Sequence, residues 1–235
     1  GQPAEAKKVY DAILGLKPEE KDAYFLRGSA ELELGDYESA KADFDKAISM
    51  DPKNYDRMIE IYEALADYGY REVGQEYLQN VLNTDKKLDA YDSGRIYYYL
   101  GDYQKAYLAL EEAKGKGGVD SYLYLGKAYA ATGDYNYASS VYSNYLSKQG
   151  PDAEIYNQLG LCEMAKKDYQ KALEAFQAGK QIEGNSLMQT LSFNEIVAYE
   201  YLQDYQKAAV LLKAYLQNYP DDQAAIREQQ FLSTR

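Results

Sequence analysis

Asp36-Tyr37-Glu38-Ser39-Ala40 returns four times along the chain. The copies are Asp102-Tyr103-Gln104-Lys105-Ala106, Asp134-Tyr135-Asn136-Tyr137-Ala138, Asp168-Tyr169-Gln170-Lys171-Ala172 and Asp204-Tyr205-Gln206-Lys207-Ala208. Asp36 and Asp102 are two periods of 33 apart, and the later spacings are 32, 34 and 36. A degenerate copy, Tyr70-Arg71-Glu72-Val73-Gly74, fills the gap. A fixed period of this length marks a stacked repeat, each unit burying its apolar face on the next.

Each residue of the phrase has a physical role. Aspartate caps the free amides of a helix start, and Gly35, Gly101 and Gly133 stand just before it to end the preceding helix. The tyrosine supplies a large contact at the corner. The alanine three residues on is small enough for two helices to approach. Twelve residues before it, on the preceding segment, stands another small residue: Gly28, Gly94, Gly126 or Gly160. Tyr122, Leu125, Gly126 and Tyr129 follow i, i+3, i+4, i+7 spacing, as do the large residues after the alanine, Phe44 with Ala47 and Tyr142 with Tyr145. Breaks follow at Pro52, Gly118, Gly150-Pro151, Gly184 and Pro220. Each unit therefore reads as helix, tight turn, helix, turn.

This pattern resembles the tetratricopeptide repeat (TPR) family. In the best copy, Lys21 to Asn54, the residues Tyr24, Gly28, Ala40, Phe44, Ala47 and Pro52 fall on framework positions, while Arg27 stands where the family prefers leucine. The resemblance implies an all-α, right-handed superhelical solenoid of antiparallel helix hairpins. We expect six repeats, 21–54, 55–86, 87–118, 119–152, 153–188 and 189–222, in one domain without linkers. Residues 4–16 read as the second helix of a truncated repeat, and 223–235 as a polar capping helix. The weakest joint is expected in 55–86, where Gly74 replaces the packing alanine at about 1 kcal/mol of helix propensity.

Composition excludes much chemistry. The chain of 235 residues has no histidine and one cysteine, so no His base, His-paired nucleophile, disulfide or multi-cysteine metal site can form within it. We expect no enzyme activity, cofactor or metal. The net charge of -12 disfavours nucleic acid and anionic membrane as partners. No apolar run reaches the roughly 18 residues of a membrane span. The chain opens Gly1-Gln2-Pro3, without methionine or signal peptide. A trimmed N-terminus is the expectation, with a bacterial cell-envelope protein, a lipoprotein whose anchor was removed, favoured over a cytoplasmic one. The cut repeat at 4–16 would then expose an apolar end, through which a homodimer could form.

Three local features read as structure. Lys114-Gly115-Lys116-Gly117-Gly118 lacks the GK[ST] ending of a phosphate loop and follows a helix, so it is an inter-repeat turn. Cys162 has no basic neighbour to activate it and reads as a buried small side chain. Glu60, Glu63 and Asp67 share a helix face and read as a solvated acidic surface.

The 28 tyrosines are the anomaly. Tyr24, Tyr37, Tyr103, Tyr129, Tyr135, Tyr142, Tyr169 and Tyr205 fall on framework positions. The resemblance implies that the first helix of each repeat lines a concave groove. Along that stripe lie Tyr91, Arg95, Tyr98, Tyr99, Tyr124, Lys127, Asn157, Gln158, Phe193 and Asn194, with Val197, Glu200 and Tyr201 beyond. Tyrosine and arginine are enriched among interface hot spots, so a protein or peptide is the expected groove partner. The other reading is a cell-surface glycan-associated module in which Tyr, Asn and Gln hold sugars. The carboxylate clamp of some family members is missing from repeats 21–118, whose matching places hold mainly Phe25, Ser29, Glu60 and Asp92. Only Arg95 and Lys127 offer a comparable cation.

Overall fold

The computed structural model describes residues 2–116 and 118–235. Among these, fourteen α-helices are joined by short turns, with no strand. They divide into two compact units, ending and beginning at Asp102 and Tyr103. The first holds α1 (Pro3–Leu16), α2 (Lys21–Glu33), α3 (Tyr37–Met50), α4 (Tyr55–Asp67), α5 (Arg71–Thr84) and α6 (Ala90–Tyr99). The second holds α7 (Tyr103–Ala113), α8 (Gly118–Ala131), α9 (Tyr135–Lys148), α10 (Ala153–Ala165), α11 (Tyr169–Lys180), α12 (Met188–Tyr201), α13 (Tyr205–Asn218) and α14 (Gln223–Leu232). Within each unit a helix packs mainly on its sequence neighbours, while α2 touches α4, α4 touches α6 and α8 touches α10. This is the all-α stack of helix hairpins expected from the repeat.

The recurring phrase works as a joint. Asp36, Asp134, Asp168 and Asp204 accept the amide of the residue three positions on, at 3.0 to 3.3 Å. The aspartate's own amide reaches back to the carbonyl five residues earlier, as from Asp36 to Glu31 at 2.9 Å and from Asp204 to Tyr199 at 3.0 Å. That bond closes the preceding helix and demands a left-handed residue just before the aspartate. Glycine supplies it at Gly35, Gly101 and Gly133, but Lys167 and Gln203 adopt it too, at φ 65° and 62°. A side chain in this region costs about 1 kcal/mol, so the two capping bonds offset a local strain. The degenerate copy keeps the turn through Gly69 and has no side-chain cap at Tyr70, whose ring instead stacks on Tyr37 at 4.1 Å.

Inside each hairpin the small residue of the first helix faces a large one sixteen positions on. A Cβ at Gly28 would lie 2.8 Å from Phe44 Cε1, one at Gly126 would lie 2.3 Å from Tyr142 Cζ, and one at Gly160 would lie 2.3 Å from Phe176 Cε1. All three rings are fully buried. Where the first helix carries a larger residue, the partner is smaller: Tyr62 with Leu78, and Ile196 with Leu212. Gly94 departs from this rule, with buried Leu110 at the partner position.

The same complementarity corrects the reading of Gly74. Tyr62 stands twelve residues before it, where other repeats have glycine, and Gly74 makes the room. A Cβ there would sit 3.0 Å from Tyr62 Cδ2 and 3.1 Å from Tyr62 Cα. Gly74→Ala gains about 1 kcal/mol of helix propensity yet pushes on helix backbone, and a net loss of about 1 kcal/mol is expected. Gly15→Ala in α1 meets nothing within 4 Å and gains up to about 1 kcal/mol. Urea midpoints of the two variants should move in opposite directions, and equal gains would refute the packing role of Gly74.

Arg27, the departure from the family's leucine, is part of an ionic joint. Its guanidinium donates to both oxygens of Asp43 on α3, at 2.6 and 2.8 Å, and to Asp11 on α1 at 2.9 Å. The hydrogen bonds to Asp43 hold its pKa above the ordinary arginine value, against the pull of desolvation. Lys7 adds an ion pair with the buried Glu31 at 3.2 Å.

Candidate functional site

The first unit contributes Tyr91, Arg95, Tyr98 and Tyr99, all on α6. Arg95 is buried, at 7% exposed, with its guanidinium over the ring of Tyr91, 4.5 Å from the centroid. Its guanidinium donates to Asp56 on α4 at 2.5 Å and to Asp92 on its own helix at 2.7 Å. Burial works against that charge, and the hydrogen bonds of the two aspartates outweigh it, so its pKa lies above the usual arginine value. Arg95 therefore braces α6 on α4 while its neighbours form the surface. Tyr99 donates to Glu63 at 2.7 Å and meets the rings of Tyr62 and Tyr98 edge-on, at 5.4 and 5.5 Å.

A matching brace lies one helix earlier. Arg57 of α4 donates to Asp22 of α2 at 2.8 Å, pairs with Glu60 at 3.3 Å and lies 4.1 Å over the Phe25 ring. Glu60 and Glu63 are thus tied to neighbouring side chains, not merely solvated. Sequence reading passed over Arg57 and took Asp56 only as part of an acidic N-terminal stretch, although the spacings of 35 and 39 residues that join them to Asp22 and Arg95 are close to one repeat.

The second unit contributes the remaining six residues. Tyr124 and Lys127 lie half-buried on α8, and Lys127 reaches Glu154 of α10 at 3.6 Å. Glu154 also accepts from Gln158 at 2.8 Å, which fixes the amide along α10. Asn157 is buried and accepts from Asn194 of α12 at 2.9 Å. Phe193 packs its ring 5.7 Å from that of Tyr215. Within this unit α8, α10 and α12 are thus joined in turn by one polar bridge each, with half-buried aromatic and amide groups beside it. Such bracing fixes rotamers in advance and lowers the entropic cost of binding.

Cys162 is buried, and desolvation pushes its thiol up to about 12, so it is not a nucleophile at neutral pH. Of the glycine-rich stretch, residues 114–116 form a turn and α8 begins at Gly118 in place of the expected break; Gly117 lies outside the described residues. An apolar hollow of about 360 Å³ opens beside α1 and α2, lined by Tyr10, Ile13, Leu16, Ala23 and Leu26 among others.

One titratable pair escaped the sequence reading. Glu200 on α12 faces Glu228 on α14, and burial, followed by the hydrogen bond with Glu228, pushes its pKa up to about 8. Two carboxyls can share a hydrogen bond only while one of them holds a proton. The raised folded-state pKa makes this contribution complete below the unfolded value near 4.5 and lost as pH rises through 8. Water reaches part of the pair, so the swing is about 1–2 kcal/mol. In Glu228→Gln the new amide donates to Glu200 at any pH. The variant should match the parent near pH 5 and melt about 2–6 °C higher at pH 9, and parallel pH profiles would show that the pair does not govern the docking of α14.

No helix among the described residues is long and apolar enough to cross a membrane. No curated protein matches the chain. Solved structures similar to it include the APC/C hetero-tetramer Cut9-Hcn1, with a TM-score of 0.59 at 18% identity over 98% of this chain and 46% of that one. Yeast Tom70 gives 0.64 at 17% identity over 92% of this chain and 48% of its own. YrrB, a TPR protein with an unusual peptide-binding site, gives 0.52 at 18% over 96% of this chain and 100% of its own. This chain spans about half the length of the first two. At such identities the likeness is one of fold. Sequence carries the assignment further: a tetratricopeptide repeat profile matches residues 1–55 and 123–186, and a second matches 193–222. With more than half of its residues matched, and hairpins closed by the same capped turn, the chain belongs to the tetratricopeptide repeat family.

Proposed function

We propose that this protein is a non-catalytic interaction scaffold that holds a peptide or protein segment on the faces of its first helices. The reading takes α2–α3 through α12–α13 as six repeats, flanked by α1 and α14. Its anchors are Tyr91, Tyr98 and Tyr99 in the first unit and Tyr124, Lys127, Gln158, Phe193 and Asn194 in the second, with Arg95 and Asn157 holding them in place. The observation that carries it is the bracing of these faces by Arg95 with Asp56 and by Asn157 with Asn194, beside aromatic side chains that remain partly open. YrrB, of similar fold, has a peptide-binding site, and the family's typical use is the same.

The test is a peptide-display selection on the whole chain, followed by titration of the selected peptides against Tyr98→Ala and Tyr124→Ala. Loss of a hot-spot tyrosine costs about 2 kcal/mol, or roughly thirtyfold in affinity. Circular dichroism of each variant checks that the helices persist. Unchanged affinity in both would move the binding surface elsewhere. A glycan array on the same samples tests the sugar reading, for which the exposed rings of Tyr137 and Tyr201 are the available stacking faces.

A further inference from the structure

The end of the second unit carries a site of different character. Where α14 closes against α12 and the start of α13, a hollow of about 520 Å³ is lined by Val197, Glu200, Tyr201, Tyr205, Glu228 and Phe231. Its walls are aromatic. Tyr205 and Phe231 meet edge-on with ring centroids 6.4 Å apart, and Tyr201 is held from behind by stacking on Tyr169 at 4.9 Å. Its charged lining groups are both acidic. Glu200 Oε1 is out of contact with water, and no nitrogen donor reaches it. The group facing it is the Glu228 carboxyl, itself an acceptor unless protonated.

Aromatic faces beside a carboxyl pair that has no cationic partner attract one kind of ligand group. A cation above a ring is drawn to its negative face, and a guanidinium can also present paired N–H groups to carboxylate oxygens. A metal ion fits poorly, since calcium takes six to eight oxygens and the described residues hold no cluster of three acidic or sulfur ligands. The chain itself shows what the aromatic corner accepts: the Arg235 guanidinium lies 4.7 Å over the ring of Phe231 and 5.8 Å from that of Tyr205. That cation satisfies the rings, yet it is not among the groups acting on the Glu200 carboxyl.

We propose that this hollow receives an arginine side chain of a partner peptide, its guanidinium against Tyr205 and Phe231 and its N–H groups on Glu200 and Glu228. The guanidinium N–H groups then take the place of the proton that the two carboxyls otherwise share. Arg235 is a tethered competitor for the same rings. Lysine is the poorer fit, because its compact ammonium cannot stack and serve two carboxylates at once. The proposal rests on the scaffold reading and deepens it by naming one residue that a partner presents.

The experiment titrates the whole chain with the short blocked peptide acetyl-Gly-Arg-Gly-amide, followed by heteronuclear NMR. Its lysine and citrulline counterparts run in parallel. The expected result is shifts confined to residues 197–205 and 225–235, with citrulline, the neutral isostere, at least tenfold weaker. Glu228→Gln and Phe231→Ala should each weaken the arginine peptide about tenfold, and Arg235→Gln should tighten it. If Phe231→Ala undocks α14, the arginine-to-citrulline ratio on the unaltered protein and the Arg235→Gln gain still decide. Equal binding of arginine and citrulline peptides, or shifts located elsewhere, would overturn the proposal. Such a failure leaves the groove reading standing, because that reading is judged separately by Tyr98→Ala and Tyr124→Ala.

Discussion

Replacing Gly160 with isoleucine is expected to destabilise the second unit by about 3 kcal/mol, although isoleucine is the better helix former. A Cβ alone would stand 2.3 Å from Cε1 and 2.6 Å from Cδ1 of Phe176. Phe176 is fully buried and packed with Ala172, Leu173, Leu191 and Ala198, so its ring has nowhere to retreat. Phe176→Leu alone removes ring atoms from a core with no slack and should cost about 2 kcal/mol. The double variant, Gly160→Ile with Phe176→Leu, recreates the combination that this protein already uses at Ile196 and Leu212. It should return to within about 1 kcal/mol of the parent, a coupling of about 4 kcal/mol and above the roughly 3 kcal/mol that contacting residues usually reach. Urea titration followed by circular dichroism reads all four proteins, and additive losses would show that the glycine and the ring are not a complementary pair.

The same pair marks how far the sequence was readable. The twelve-residue rhythm of small residues and the Asp-Tyr phrase are local, because caps and turns are set by a few adjacent side chains. They placed the helices, as the bonds of Asp36 and Asp204 show. The trade of size between Gly160 and Phe176, and its reversal at Tyr62 and Gly74, requires knowing which side chains meet across the hairpin. Reading Gly74 as a defect came from weighing propensity without that partner.

The candidate surface was legible to the same depth. The family resemblance, laid on helical spacing, named Arg95 and Asn157 as members of the stripe. It could not show that both are buried and engaged, because Asp56 and Asn194 come from the next helix in space, 39 and 37 residues away. Polar bridges between hairpins depend on their stacking, which the sequence period fixes only approximately. The Glu200–Glu228 pair was hidden for the same reason, with one member on a helix that reads simply as polar.

Arg27→Leu restores the residue that the family prefers, and it should nevertheless destabilise the first unit by about 2–3 kcal/mol. The reason is what remains behind. Asp43 keeps only 9% of its side-chain surface in water, and Arg27 supplies both of its charged hydrogen bonds. Removing one member of a buried pair leaves the other uncompensated, a loss of 3–5 kcal/mol when fully enclosed; the 21% exposure of Arg27 lowers it here. Asp11 loses its guanidinium partner as well, and Lys7 alone is left to serve Asp11 and Glu31. Burial, and then the charge of Asp43, already raise the Glu31 pKa against the pull of Lys7 and Arg27. Without Arg27 the Glu31 carboxyl rises further in the folded state. Groups with raised folded pKa stabilise at low pH and lose that contribution as pH rises. The deficit of Arg27→Leu should therefore be widest near pH 7 and narrow as pH falls toward 4. Adding Asp43→Leu removes the stranded charge and should recover most of the loss, since an apolar pair of similar volume can replace a buried ion pair at little cost. Urea midpoints for the single and double variants at pH 4.5 and 7 measure both effects. A pH-independent deficit would mean that Arg27 acts through the stacking of its guanidinium over the Tyr24 ring, 5.6 Å from the centroid, and not through the carboxylates it balances.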